Sequence, residues 1–67
     1  MQNTMTVQDF IEAGNKARFP VYLKTAWGMM EVDYIQWPDR DPWAHCPKAN
    51  GGFGQTFCVH YGTLLYY

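Results

Sequence analysis

No stretch of this chain approaches the about 18 uninterrupted apolar residues that a membrane-crossing helix needs. Its opening, MQNTMTVQ, has neither the basic start nor the apolar run of a secretory signal. A cytoplasmic chain is therefore expected, with its two cysteines, Cys46 and Cys58, reduced. An excess of positive charge is missing as well. Five Lys and Arg stand against six Asp and Glu, a formal net charge of −1, so no broad basic footprint exists to neutralise phosphates and direct nucleic-acid binding is disfavoured. Lys and Glu are scarce while 48% of residues are hydrophobic, which excludes the disordered class. With no internal repeat and no linker, residues 1–67 read as a single small domain.

What the chain has in quantity is rings: four Phe, three Trp and five Tyr, 18% of the residues. A chain this short buries only about 60% of the surface its unfolded form exposes. Rings concentrate what stability is available, since each can bury roughly 150–250 Å².

Thr6-Val7-Gln8-Asp9 fits a capping box, and Met5 with Phe10 fits the hydrophobic staple that accompanies one. Val7, Phe10, Ile11 and Gly14 continue at helical spacing, Glu12 and Lys16 form an i,i+4 pair, and Pro20 should end the helix by about Arg18. From Phe19 the period becomes two. A strand over Phe19 to Ala26, a turn at Trp27-Gly28 and a second strand from Met30 to about Trp37 make a hairpin. That turn pairs Val21 with Tyr34, Leu23 with Val32 and Thr25 with Met30 on an apolar face, and sets Lys24 opposite Glu31 and Tyr22 opposite Asp33. A third strand is expected within Thr56 to Tyr67, with Gly62 bending it and TLLYY offering an edge through which two copies could pair. Pro38 to Gln55 shows no clear period and reads as a long loop. The expected fold is α+β: one N-terminal helix on a small antiparallel sheet of about three strands, with a long Pro- and Gly-containing loop.

Within HCPKANGGFGQTFCVH, His45, Cys46, Cys58 and His60 have the right number and kind of donors for a zinc-stabilised mini-domain. Their spacing is unlike the usual knuckle, because His45 and Cys46 are adjacent and point apart. A Cys46–Cys58 disulfide would need an oxidising compartment. A thiol enzyme could be built from a Cys–His couple oriented by Asp39 or Asp41, but no family-level cysteine motif supports it and the domain leaves little room for a pocket. The commonplace alternative is a cysteine buried as a small hydrophobe and a histidine hydrogen-bonded in a loop. Gly51-Gly52-Phe53-Gly54 matches no phosphate-cradling pattern and reads as a flexible or tightly turning connection. No catalytic residue, metal or cofactor is assigned, and the chain is not expected to be an enzyme.

The sharpest anomaly is EVDYIQWPDRDPW, residues 31 to 43. Glu31, Asp33, Asp39 and Asp41 are offset there by Arg40 alone, with Trp37 and Trp43 flanking the acidic tip, while Lys16, Arg18 and Lys24 fall in an acid-free stretch. A solvated strand face is the plain interpretation. The functional one is an acidic patch with aromatic anchors, the combination that steers and anchors a protein interface. These six residues are the candidate partner-binding set. In size, acidity and lack of catalytic or localisation motifs, the whole chain resembles phage-encoded inhibitors of bacterial defence, the anti-CRISPR proteins. That resemblance implies an inhibitor that docks on a basic site of a larger host protein, such as a nucleic-acid-binding enzyme or complex, acting as a monomer or homodimer. The mild net charge favours a partner-specific interface over general mimicry of DNA.

Overall fold

The computed structural model describes residues 3–36 and 40–67. Its elements are β1 (Thr4–Thr6), α1 (Val7–Glu12), β2 (Tyr22–Thr25), β3 (Gly28–Glu31), β4 (Tyr34–Gln36), β5 (Trp43–Cys46), a 3₁₀ turn (Asn50–Gly52), β6 (Gln55–Cys58) and β7 (Leu64–Tyr66). Two antiparallel sheets, ordered β1-β7-β2-β3 and β4-β5-β6, replace the single sheet of about three strands. The single expected helix is present, and the fold is α+β with more strand than the sequence suggested.

The capping box forms: Asp9 N donates to Thr6 Oγ1 at 3.1 Å and Thr6 N donates to Asp9 Oδ2 at 3.2 Å. The helix stops at Glu12, six residues before Arg18, because Gly14 takes φ 114°. Gly14 N donates to Ile11 O and Asn15 N to Phe10 O, both at 3.1 Å, the two bonds of a Schellman termination. Lys16 is thus off the helix, and Glu12 accepts instead from Gln8 Nε2 at 2.8 Å. Asn15, itself at φ 63°, then turns its side chain onto β4, where Asn15 Oδ1 accepts from Ile35 N at 3.1 Å. Ala17 N donates to Asp33 O at 3.0 Å, so this segment covers the outer edge of β4.

The β2–β3 hairpin is two positions tighter than the sequence register. Leu23 faces Met30 and Thr25 faces Gly28, leaving Ala26 and Trp27 as the loop. Thr25 Oγ1 accepts from Trp27 N at 3.1 Å and donates to Gly28 O at 2.7 Å, and Gly28 supplies the positive φ that closes the turn. A slip of two leaves Val21, Leu23, Met30 and Val32 on their expected face, whereas Tyr34, expected opposite Val21 on the apolar face, is exposed in the second sheet with Ile35 buried in its place. The slip does remove the expected cross-strand pairs: Lys24 now faces Met29 and Tyr22 faces Glu31.

The strand expected from Met30 to Trp37 is broken at Val32-Asp33. Val32 N donates to Val21 O at 2.8 Å within the first sheet, while Asp33 N donates to His45 O at 3.1 Å in the second. Consecutive residues thus belong to different sheets, and Val32, fully buried, sits at the corner. The stretch read as a loop holds β5, bracketed by Pro42 and Pro47, with Ala44 and Cys46 buried and Trp43 and His45 on the other face. The expected third strand is likewise two, β6 and β7, separated by a turn in which His60 N donates to Thr63 Oγ1 at 2.9 Å. β7 lies between β1 and β2, so it offers no open edge for pairing two copies. Val7, Phe10, Val21, Leu23, Ile35, Ala49, Val59 and Leu65 complete the core. The radius of gyration, 10.8 Å, matches the about 11 Å of a close-packed chain of this length, so the sheets are folded onto each other. Among the described residues no helix is long and apolar enough to cross a membrane.

Candidate functional site

Glu31, Asp33, Asp41 and Trp43 are described, whereas Trp37 and Asp39 lie outside the described residues. Each of the three carboxylates has a basic neighbour. Glu31 Oε1 accepts from Lys48 Nζ at 3.0 Å, Asp33 Oδ1 contacts His45 Nδ1 at 2.6 Å, and Asp41 Oδ1 lies 3.5 Å from His60 Nδ1. The hydrogen bond to Glu31 raises the Lys48 pKa, which keeps that ammonium charged. Because an ionised carboxylate can only accept, Nδ1 of His45 carries the proton in its contact with Asp33. The same imidazole stacks on Tyr34 with ring centroids 4.7 Å apart, and its Nε2 crowds Gly54 so closely that a Cβ there would stand 3.3 Å away. Of the three carboxylates, Glu31 faces a permanent cation in Lys48, and the field there is weaker than the run of acids in the sequence implies.

A second feature of the surface lies outside the candidate partner-binding set. Trp27, in the two-residue β2–β3 loop, is 73% exposed, and its ring rests on Phe57 of β6 with centroids 6.2 Å apart. A hollow lies on each side of this ridge. One, of about 330 Å³, runs between β3 and the β5–β6 hairpin and is bounded by Trp27, Met30, Asn50, Gln55 and Phe57. Glu31 and Lys48 adjoin the lining residues Met30 and Ala49 in the chain, but neither side chain lines this hollow. The other, of about 240 Å³, is bounded by Lys24, Trp27, Phe57, Cys58 and His60, with Asp41 beside His60 at its margin. Trp43, 41% exposed, faces Cys58 across the β5–β6 ladder. The signal that could have found the ridge is Trp27 in a two-residue turn, where neither flanking strand can cover a ring that large.

Both strands that bound the larger hollow are sheet edges. The Val32–Val21 bond fixes the alternation along β3, so Met29 and Glu31 turn their N–H and C=O groups away from β2. Val59 N donates to Pro42 O at 2.9 Å and fixes it along β6, where Thr56 and Cys58 turn theirs away from β5.

The four groups of the 45–60 segment do not converge. Cys46 faces Gln55 and Cys58 faces Trp43, three steps apart along one ladder, or about 10 Å, beyond the about 7 Å a disulfide spans. Cys46 points into the core, His45 away from it, and Cys58 is exposed. Among the described residues no three His, Cys, Asp or Glu side chains are grouped to hold a metal. Burial, with the Asp33 charge nearby, pushes the Cys46 thiol up to about 11, opposite to the shift that activates a nucleophile. The glycine-rich stretch is a tight 3₁₀ turn with positive φ at Asn50, Gly51, Gly52 and Gly54, and it presents Phe53 to solvent. No protein-family model, curated protein or solved structure matches the chain.

Proposed function

We propose that this protein binds a larger protein and inhibits it by occupying a surface, using the Trp27–Phe57 ridge as its anchor. The observation that carries the reading is a tryptophan 73% exposed yet held against a second ring between two hollows. An exposed Trp contributes little to folding and much to binding, and Trp is the residue type most enriched among interface hot spots. Two convex rings flanked by concave ground suit a partner that receives the ridge and fills the hollows.

The acidic residues take a supporting role in this proposal. Asp41, at the margin of the smaller hollow, flanks the ridge, while Glu31 follows Met30 on the opposite face of β3 and Trp43 and the Asp33–His45 pair lie on the face of the second sheet away from Phe57. A partner with a basic site would exchange the internal Lys48 and His60 contacts for its own. The charges then set orientation while the rings supply affinity. A basic, nucleic-acid-binding enzyme or complex, the kind of target implied by the resemblance to phage inhibitors, is the narrower form of the proposal.

The test is capture of partners from bacterial lysate by immobilised wild-type protein, Trp27→Ala, Phe53→Ala and the double charge reversal Glu31→Lys/Asp41→Lys, each with its melting curve. Trp27→Ala should weaken capture by about 2–4 kcal/mol, roughly 30- to 1000-fold, with Phe53→Ala unaffected. Capture that persists undiminished in Trp27→Ala would overturn the assignment of the ridge, and capture indifferent to the charge reversal would remove the basic-site form of it.

A further inference from the structure

A third cavity, of about 160 Å³, opens between α1 and the segment leading to β2, with Phe10, Phe19 and Val21 in its walls and Ala13 at the helix end. Its volume is close to the about 150 Å³ that admits one benzene molecule. Lys16 and Arg18 stand at this otherwise apolar cavity, both exposed. Neither is within salt-bridge distance of a described carboxylate. The two acids of α1 are engaged elsewhere, Asp9 with the Thr6 amide and Glu12 with Gln8. An apolar slot for one ring therefore carries two cations that no described carboxylate pairs, with Arg18 lying against Gly14 at the end of α1.

We propose that this cavity binds an aromatic carboxylate, with the ring inserted against Phe10 and Val21 and the carboxylate held by Arg18 and Lys16. The planar guanidinium fork matches a carboxylate in two parallel bonds, and Lys16 adds a point charge beside it. Ring and anion must belong to one short ligand, because the cavity has room for a single ring. Two sources present that chemistry: a free arylalkanoic acid, and a polypeptide whose last residue is Phe.

Titration of ¹⁵N-labelled full-length protein followed by two-dimensional NMR distinguishes them. The probes are 3-phenylpropionate, N-acetyl-Gly-Gly-Phe with a free carboxylate, and neutral 3-phenylpropionamide. Saturable shifts at the Phe10, Ala17 and Val21 amides are expected with both acids, with the amide binding about tenfold more weakly for want of the charge-assisted bonds. The tighter of the two acids identifies the source. Lys16→Gln/Arg18→Gln should bring 3-phenylpropionate down to the level of the amide. Ala13→Met, which sets a long apolar side chain at the exposed rim of the cavity and keeps both cations, should weaken binding of all three probes without lowering the melting temperature. Absence of saturable shifts with either acid, equal affinity for acid and amide, or undiminished binding in Ala13→Met would overturn the proposal.

Discussion

Asn15 does two things that can be separated by mutation. Its backbone sits at φ 63°, and its Oδ1 accepts from Ile35 N at 3.1 Å, capping the edge of β4 beside a side chain that is fully buried. Asn15→Asp keeps the acceptor and tolerates the backbone angle, so stability should change by no more than about 0.5 kcal/mol. Asn15→Gly keeps the backbone at ease but leaves the Ile35 N–H without its partner, a loss of about 1–3 kcal/mol. Asn15→Ala loses the partner and adds about 1 kcal/mol for a left-handed Cβ, which brings the total to about 2–4 kcal/mol. For a domain this small each kcal/mol lowers Tm by about 4–8 °C. Thermal melts of the three variants should therefore order Asp, Gly, Ala from most to least stable, and hydrogen exchange at the Ile35 amide should quicken in the last two alone. An alanine variant as stable as the aspartate would refute the reasoning, because it would mean that neither the bond nor the angle matters.

The two cysteines should differ sharply: a disulfide-exchange reagent should modify one thiol per chain at once, Cys58, and reach Cys46 only after denaturant is added. Since the folded chain holds the Cys46 proton more tightly than the unfolded one, that contribution to stability is complete below about pH 9 and fades as the pH rises towards 11. Urea titrations across that range should show a steeper loss for wild type than for Cys46→Ala. Gly54→Ala should destabilise by about 1–3 kcal/mol, measured by the same titrations, since it forces a Cβ into a φ of 86° and to 3.3 Å from His45 Nε2.

Legibility in the sequence tracked how local the cause was. The capping box at Thr6 and Asp9 involves neighbours and was read correctly. The sequence points to Pro20 as the breaker of α1, but Gly14, at φ 114°, already ends the helix. The faces of Leu23, Met30 and Val32 survive a register error of two because the side-chain period is two, whereas Tyr34, beyond the break at Val32-Asp33, is exposed, and Glu31 meets Lys48 from another hairpin instead of Lys24. β5 escaped detection because four residues between prolines show too few alternations to count. At the site, Glu31, Asp33 and Asp41 could be picked out by type, but not their partners His45, Lys48 and His60, which long-range folding brings alongside. The Trp27–Phe57 contact joins residues 30 positions apart in different sheets, and no periodicity announces it.

The pairing of Thr4 with Tyr66 and of Tyr22 with the same residue puts β7 at the centre of the larger sheet. During synthesis, residues 4–6 have no strand to join until residues 64–66 have left the ribosome, about 60 residues later. Closing a loop of about 60 residues costs roughly 3.6 kcal/mol in the logarithmic length term alone, before any contact repays it. Such long-range pairing makes folding slow and late. The β4-β5-β6 sheet, built from residues 34–58, can form first, and for that interval its apolar face waits uncovered. Removing β7 would take out an interior strand of the larger sheet, leaving β1 and β2 with no common neighbour.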